Sequence, residues 1–273
     1  MQFANKTIDL TQPRVMGILN VTPDSFSDGG RFTNMDAALN HTKQMLDEGA
    51  DFIDIGGEST RPGAADVTLE QELDRVIPVV ETICREFDCV VSVDTSKAQV
   101  MTEAVKAGAG LINDIRALRE PGALQAAKQA DVAICLMHMQ GKPRTMQHNP
   151  EYGDVVADVL SFLQERVLEC EKVGISRDKI ILDPGFGFGK NQQQNYQLLA
   201  CLQQFDQMRL PLLVGMSRKS MLGNVINRDT KQRLAASIAA ATVALMQGAQ
   251  IIRVHDVAET VDAIKIIQAV KAI

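Results

Sequence analysis

The chain has no tryptophan, two tyrosines and an aromatic content of 4%, too few flat side chains for a base-stacking platform. Its formal net charge of −6 argues against a general nucleic-acid surface, which needs clustered positive charge. Apolar runs stop short of the ~20 residues needed to cross a bilayer, so no membrane partner is expected. The opening MQFANKTIDL lacks the apolar core of a secretory signal, and a cytoplasmic location is the expectation. Five cysteines (Cys84, Cys89, Cys135, Cys170, Cys201) form no C-x-x-C pair. That pattern suits buried, reduced thiols better than a metal cluster or a disulfide framework. No Pro/Gly/Ser-rich linker divides the 273 residues, so one domain over residues 1–273 is expected.

What is present is a repeating unit. Eight short apolar runs read as strand cores: Val15–Leu19, Phe52–Ile55, Val90–Val93, Leu111–Ile112, Val132–Met137, Ile180–Leu182, Leu212–Val214 and Ile251–Val254. They are continuous rather than alternating, as parallel strands covered on both faces should be. Most are followed by an amphipathic stretch. Leu69, Leu73, Val76, Ile77, Val80 and Ile83 share a face behind a Thr68–Gln71 capping box. Val156, Val159, Leu160, Leu163 and Val167 repeat the spacing, as do Leu234, Ile238, Ala241 and Leu245. In a last helix over 257–270, Val261, Ile264, Ile267 and Val270 are expected to face inward. Eight such units with polar groups at nearly every strand end predict an α/β fold, a (β/α)8 TIM barrel, rather than an open sheet with one switch point. Residues 1–11 precede the first unit and are expected to close the barrel floor as a short extension.

The strand ends carry the candidate chemistry, because the C-terminal face of such a barrel holds the active site. Asn20 opens a polar loop with paired glycines and Phe26, a loop able to close over a ligand. Its neutral oxygen suits a hard cation such as Mg²⁺, or simply caps the strand. Gly56-Gly57-Glu58-Ser59-Thr60-Arg61-Pro62-Gly63 allows close backbone approach, with Thr60 and Arg61 as oxyanion partners. Asp183 to Lys190 resembles a P-loop only superficially: Pro184 stands where its glycine belongs and Asn191 where its Ser/Thr belongs. Among basic residues near strand ends, Arg61, Lys190, Arg218, Lys219 and Arg253 could serve an anionic ligand, or be ordinary surface charge. Asp94, Asn113, Asp183 and Lys219 could match the edge of an amino-pyrimidinone heterocycle. The same set could bind metal, perform acid–base catalysis or form a satisfied polar network. Arg253 and His255, two apart in a strand, can address one anion. His138 and His148 lack metal spacing and receive no role.

MGILNVTPDSFSDGG, DIGGESTRPGA, SVDTSK, NDI, LDPGFGFGK, GMSRKS and RVHDV occur in the order typical of dihydropteroate synthases. The chain resembles that family from about Val15 to the last helix. The resemblance implies a Mg²⁺-dependent folate-pathway transferase, often a homodimer and a target of sulfonamides. It joins 6-hydroxymethyl-7,8-dihydropterin diphosphate to 4-aminobenzoate. By motif, Asp94, Asn113, Asp183 and Lys219 look like the pterin pocket, with Ile115 and Met137 as apolar walls. Asn20, Arg253 and His255 look like the diphosphate and Mg²⁺ site. Thr60, Arg61, Pro62, Phe188, Ser217 and Lys219 look like the rim for 4-aminobenzoate, joined by Phe26. Two rival readings are a pterin-dependent methyltransferase barrel, which needs no diphosphate site, and a non-catalytic pterin-binding descendant.

Overall fold

The computed structural model describes residues 1–22, 31–59, 66–141, 145–147 and 149–272, with the backbone alone for 31–34. Eight parallel strands follow one another around a barrel: β3 (Arg14–Asn20), β4 (Phe52–Gly56), β5 (Val90–Asp94), β6 (Leu111–Asp114), β7 (Ala133–Met137), β8 (Ile180–Asp183), β9 (Leu213–Val214) and β10 (Ile251–Val254). β10 pairs with both β3 and β9. A parallel bridge between Leu182 and Leu212 joins β8 to the start of β9 and closes the ring. Helices α1 (Arg31–Asp47), α2 (Leu69–Glu86), α3 (Ala98–Lys106), α4 (Ala123–Ala130), α5 (Val155–Lys172), α6 (Gln192–Ala200), α7 (Ser220–Ile226), α8 (Leu234–Met246) and α9 (Val257–Lys271) fill the connections. The predicted strands are present, and three run one residue further into a polar residue, namely Asn20, Asp94 and Asp183.

Successive side chains of a strand point to opposite faces, and each strand here serves two environments. Val15, Leu19, Ile53, Ile55, Val91, Val93, Ile134 and Leu136 pack outward with Val76, Val80, Val159 and Leu163 of the helices. Met16, Phe52, Val90, Leu111, Ala133, Cys135, Ile181, Leu213 and Ile251 point inward and form a separate apolar floor. Above the floor, the inward positions turn polar: Asp54 and Asp94 alternate with outward Ile53, Ile55 and Val93. The strands are therefore continuous only on the helix side. Within the barrel the apolar run breaks halfway up, which corrects the expectation of uniformly apolar strands.

The N-terminal extension is the expected plug. β1 (Gln2–Phe3) and β2 (Lys6–Thr7) form an antiparallel hairpin. Phe3 is 1% exposed and meets Phe52 edge to face, with ring centroids 5.0 Å apart. A Cβ at Gly110 would lie 3.1 Å from the Phe3 backbone, a tight contact that glycine avoids.

The Thr68 capping box is formed, with Gln71 N donating to Thr68 Oγ1 and Thr68 N to Gln71 Oε1. Two helix faces differ from expectation. Val270 is 58% exposed and Leu234 is 38% exposed. Both sit at helix ends, where the helix runs past the wall it covers. No described helix is long and apolar enough to cross a membrane.

Candidate active site

Closing the strands brings residues far apart in sequence into one polar layer. Arg253 of β10 reaches across the mouth, donating through Nε to Asp54 Oδ2 at 2.6 Å and through Nη2 to Asp94 Oδ2 at 2.9 Å. Asn113 Nδ2 donates to the same Asp54 oxygen at 3.3 Å, while Asp54 Oδ1 is buried without a partner. Burial disfavours the guanidinium charge, but Asp54 and Asp94 outweigh it and hold Arg253 above its ordinary value. Burial likewise pushes the Asp94 carboxyl up, to about 7, against the pull of Arg253. Asp54 is the residue that sequence reasoning passed over. Its signal was there: one carboxylate inside the apolar run Phe52–Ile55, at an inward register position.

Asp183 ends β8 and Lys219 lies at the N-terminus of α7. Burial raises the Asp183 carboxyl, with Lys219 and the Gly185 N–H opposing; that N–H donates to Oδ1 at 2.7 Å. Lys219 Nζ donates to the Phe186 carbonyl at 2.6 Å and stands 4.5 Å above the Phe188 ring. Burial lowers it to about 8, with Asp183 opposing. The loop between Asp183 and Lys190 bends through Gly185, Gly187 and Gly189, with φ of 71°, 79° and 60°. Side chains at Gly185 and Gly189 would fall 1.9 and 2.4 Å from the carbonyl oxygens of His138 and Gln140. Glycine there is a condition of the loop lying against β7. Beside it Ile115, Met137, Met139 and Met146 form an apolar wall with Phe188 packed on it. Ile115 and Met137 were expected; Met139 and Met146 were not, because methionine in a loop carries no periodic signal.

Asn20, at the end of β3, neighbours Gly56 and Asp94: a Cβ on Gly56 would lie 3.7 Å from Asn20 Oδ1 and 3.9 Å from Asp94 Oδ2. His255, just beyond β10, is bound on one side. Its backbone N–H donates to Ser217 Oγ at 3.2 Å, and its Nδ1 shares a 3.0 Å hydrogen bond with the same hydroxyl. Ser217 is thus held against His255. A cleft of about 410 Å³ opens from Asp94 and Ile115 outward over Glu58, Lys97 and Arg116. There Lys97 bridges Glu58 and the fully buried Glu72.

One expectation is corrected. Lys190 is 2% exposed and directed inward, and Arg218 pairs with Asp256, so neither is an open cation for an anionic ligand. Arg253 also turns into the barrel toward two carboxylates, Asp54 and Asp94. Phe26, Thr60, Arg61, Pro62 and His148 lie outside the described residues. Asn20, Asp94, Asn113, Ile115, Met137, Asp183, Phe188, Ser217, Lys219, Arg253 and His255 all lie at the C-terminal face.

A family model described as pterin binding enzyme matches residues 16–255. The chain is 57% identical over 268 residues to the dihydropteroate synthase of Escherichia coli (strain K12), covering 98% of this chain and 95% of that one. Among solved structures, the Yersinia pestis dihydropteroate synthase in complex with a sulfonamide drug superposes with a TM-score of 0.96. It has 57% identity, with both chains wholly covered. The Xanthomonas albilineans dihydropteroate synthase with 4-aminobenzoic acid gives 0.93 at 51% identity, covering 97% of this chain and 96% of that one. A polar barrel mouth walled by apolar side chains, and likeness along nearly the whole chain, lead to one assignment: the chain belongs to the dihydropteroate synthase family of pterin-binding enzymes.

Proposed function

We propose that the barrel mouth binds the pterin of 6-hydroxymethyl-7,8-dihydropterin diphosphate while the rim presents 4-aminobenzoate. The chain is a transferase of folate biosynthesis that joins the two, giving 7,8-dihydropteroate and diphosphate. The observation that carries the site reading is the convergence of Asp94, Asn113, Asp183 and Lys219 beside the Ile115–Met137 wall. A pterin edge carries amino and ring N–H donors that suit buried carboxylates, and a carbonyl that suits an ammonium. Its flat faces suit the methionines.

In the proposed reaction the C–O bond to diphosphate breaks first or early, and its electron pair leaves with the diphosphate. The pterin ring delocalises the positive charge left on the methylene carbon. The weakly basic aryl amine then forms the C–N bond and loses a proton to solvent. His255 and Arg253 address the leaving group. Only two of the guanidinium's five N–H donors are engaged by Asp54 and Asp94. Asn20 supplies one amide oxygen, and no group of three or more His, Cys, Asp or Glu ready for a metal occurs among the described residues. That donor set fits Mg²⁺ held mainly by diphosphate and water. When bound, Mg²⁺ would offset charge on the departing diphosphate. Phe188, Lys219 and Ser217, with Phe26, Thr60, Arg61 and Pro62, complete the proposed frame for 4-aminobenzoate.

Mg²⁺-dependent diphosphate release, followed with and without 4-aminobenzoate, tests this. Dihydropteroate should form only with both substrates, and a sulfonamide should compete with 4-aminobenzoate. Strict dependence of C–O cleavage on the amine would overturn early departure. A homodimer belongs to the same proposal, supported by apolar side chains left exposed at Val243 and Met246 of α8 and Ile266 and Val270 of α9; sedimentation of M246K tests it. A cytoplasmic location is proposed too, supported by the unpaired thiols Cys89, Cys135 and Cys170 buried as apolar filling.

A further inference from the structure

Behind the mouth lies a pair of basic groups that the reaction above does not use. Lys190 is 2% exposed and His138 is 5% exposed. An ammonium has three N–H donors and no acceptor. Lys190 directs them to His138 Nδ1 at 2.9 Å, the Gly185 carbonyl at 2.8 Å and the Phe188 carbonyl at 3.1 Å. With the Lys190 ammonium as donor, Nδ1 is the acceptor, which assigns the His138 proton to Nε2. Burial, with the neighbouring Lys190 charge, holds that imidazole neutral, its pKa down to about 2. The ring is itself fixed edge-on against Phe162, with centroids 4.9 Å apart.

A buried ammonium hydrogen-bonded only to neutral groups is disfavoured, and burial lowers Lys190 to about 7, with Asp183 opposing. What it holds is the loop that carries the site. Side chains cover every carbonyl from Gly185 to Gly189: Lys190 takes the first and fourth, Lys219 that of Phe186, Gln147 that of Gly187 and Tyr152 that of Gly189. The two bonds from Lys190 flank the Phe186 carbonyl that receives Lys219. They also adjoin the Gly185 N–H that orients Asp183.

We propose that Lys190, seated on His138, is a positioning residue for the reaction. Through the Gly185 and Phe188 carbonyls it sets where Asp183 and Lys219 meet the pterin edge. The inference rests on the reading of those two residues as pterin contacts.

Calorimetric titration with 6-hydroxymethylpterin of wild type, Lys190→Met, His138→Phe and His138→Asn tests it. Lys190→Met removes the three donors and should weaken binding about tenfold. His138→Phe keeps the ring but removes the acceptor, and about threefold is expected. His138→Asn keeps an acceptor near Nδ1 and should restore affinity to within about twofold of wild type. Far-UV circular dichroism identifies the folded variants. A merely structural role would lower the melting temperature and leave the pterin dissociation constant of folded protein unchanged. Folded Lys190→Met that binds pterin like wild type overturns the proposal. Should that variant not fold, wild-type affinity in His138→Phe overturns it. Wild type that fails to bind the pterin overturns the pocket reading instead.

Discussion

The two ends of the barrel interior are built from the same strands and obey opposite rules. At the floor, Phe3, Met16, Phe52, Val90, Leu111 and Ile251 exclude water and satisfy one another by shape. Two to four residues further along the same strands, Asp54, Asp94, Asn113 and Arg253 satisfy one another by charge and hydrogen bonding. The floor holds the fold, because each well-buried large apolar side chain contributes about 1.5–3 kcal/mol. The mouth costs stability: the Asp94 and Asp183 carboxyls are raised by burial, which means the native state resists their ionisation. A ligand that donates hydrogen bonds to those carboxylates recovers part of that penalty, so destabilised groups become a binding site.

The comparison can be broken most forcefully at the floor. Phe52→Ala should lower unfolding free energy by about 3–5 kcal/mol. The pterin dissociation constant of the folded protein should stay unchanged. Chemical denaturation and calorimetry check the two halves, and a large loss of affinity would show that floor and mouth are not separable.

Asp183→Asn should do the reverse. It replaces a charged acceptor by a neutral amide, and pterin affinity should fall by about 100-fold, or about 3 kcal/mol. Its melting temperature should hold or rise, since an unfavourable buried charge is gone. A fall like that of a floor variant would refute the assignment of cost to the mouth.

A pH series sharpens the same contrast at Asp94. Its folded pKa is raised from 3.8 to about 7. It therefore contributes stability that is complete below the unfolded value and lost as pH rises through about 7. The stability difference between wild type and Asp94→Asn should shift in favour of the variant over that interval. Pterin affinity should move oppositely, falling by up to about tenfold per pH unit as Asp94 takes up its proton below about pH 7. Asp94→Asn should flatten the affinity profile. Denaturation and titration at a few pH values read both trends.

The smallest effect lies between the two ends. Ser92 sits on β5 between Val90 and Asp94, and its buried hydroxyl has no hydrogen-bond partner. Ser92→Ala should be neutral or stabilising by up to about 1 kcal/mol, with unchanged affinity. A clear destabilisation in a thermal melt would show that the hydroxyl is satisfied by ordered water and belongs to the mouth.

Much of this arrangement is legible in the chain. The runs at Val15, Phe52, Val90 and Ile251 mark strands because β-branched and aromatic residues cluster there between turn signals. Thr68 and Gln71 announce a helix start through local hydrogen bonding alone. Asp94, Asn113 and Asp183 stood out because a polar residue closing an apolar run is conspicuous. Asp54 did not, because it lies inside the run and only its inward register reveals it. Lys190 misled: in sequence it is a cation after a glycine-rich loop, and only packing turns it inward onto His138.

Sequence alone determined the alternation of elements, the plug, the helix caps and the end of the barrel where polar residues collect. All of these follow from periodicity and local bonding over a few residues. The tertiary structure alone decided the partners. Arg253 meets Asp54 across 199 residues and Asp94 across 159, and Lys190 meets His138 across 52. Such pairings depend on how the closed ring staggers its strands, a property of the whole sheet that no local propensity encodes.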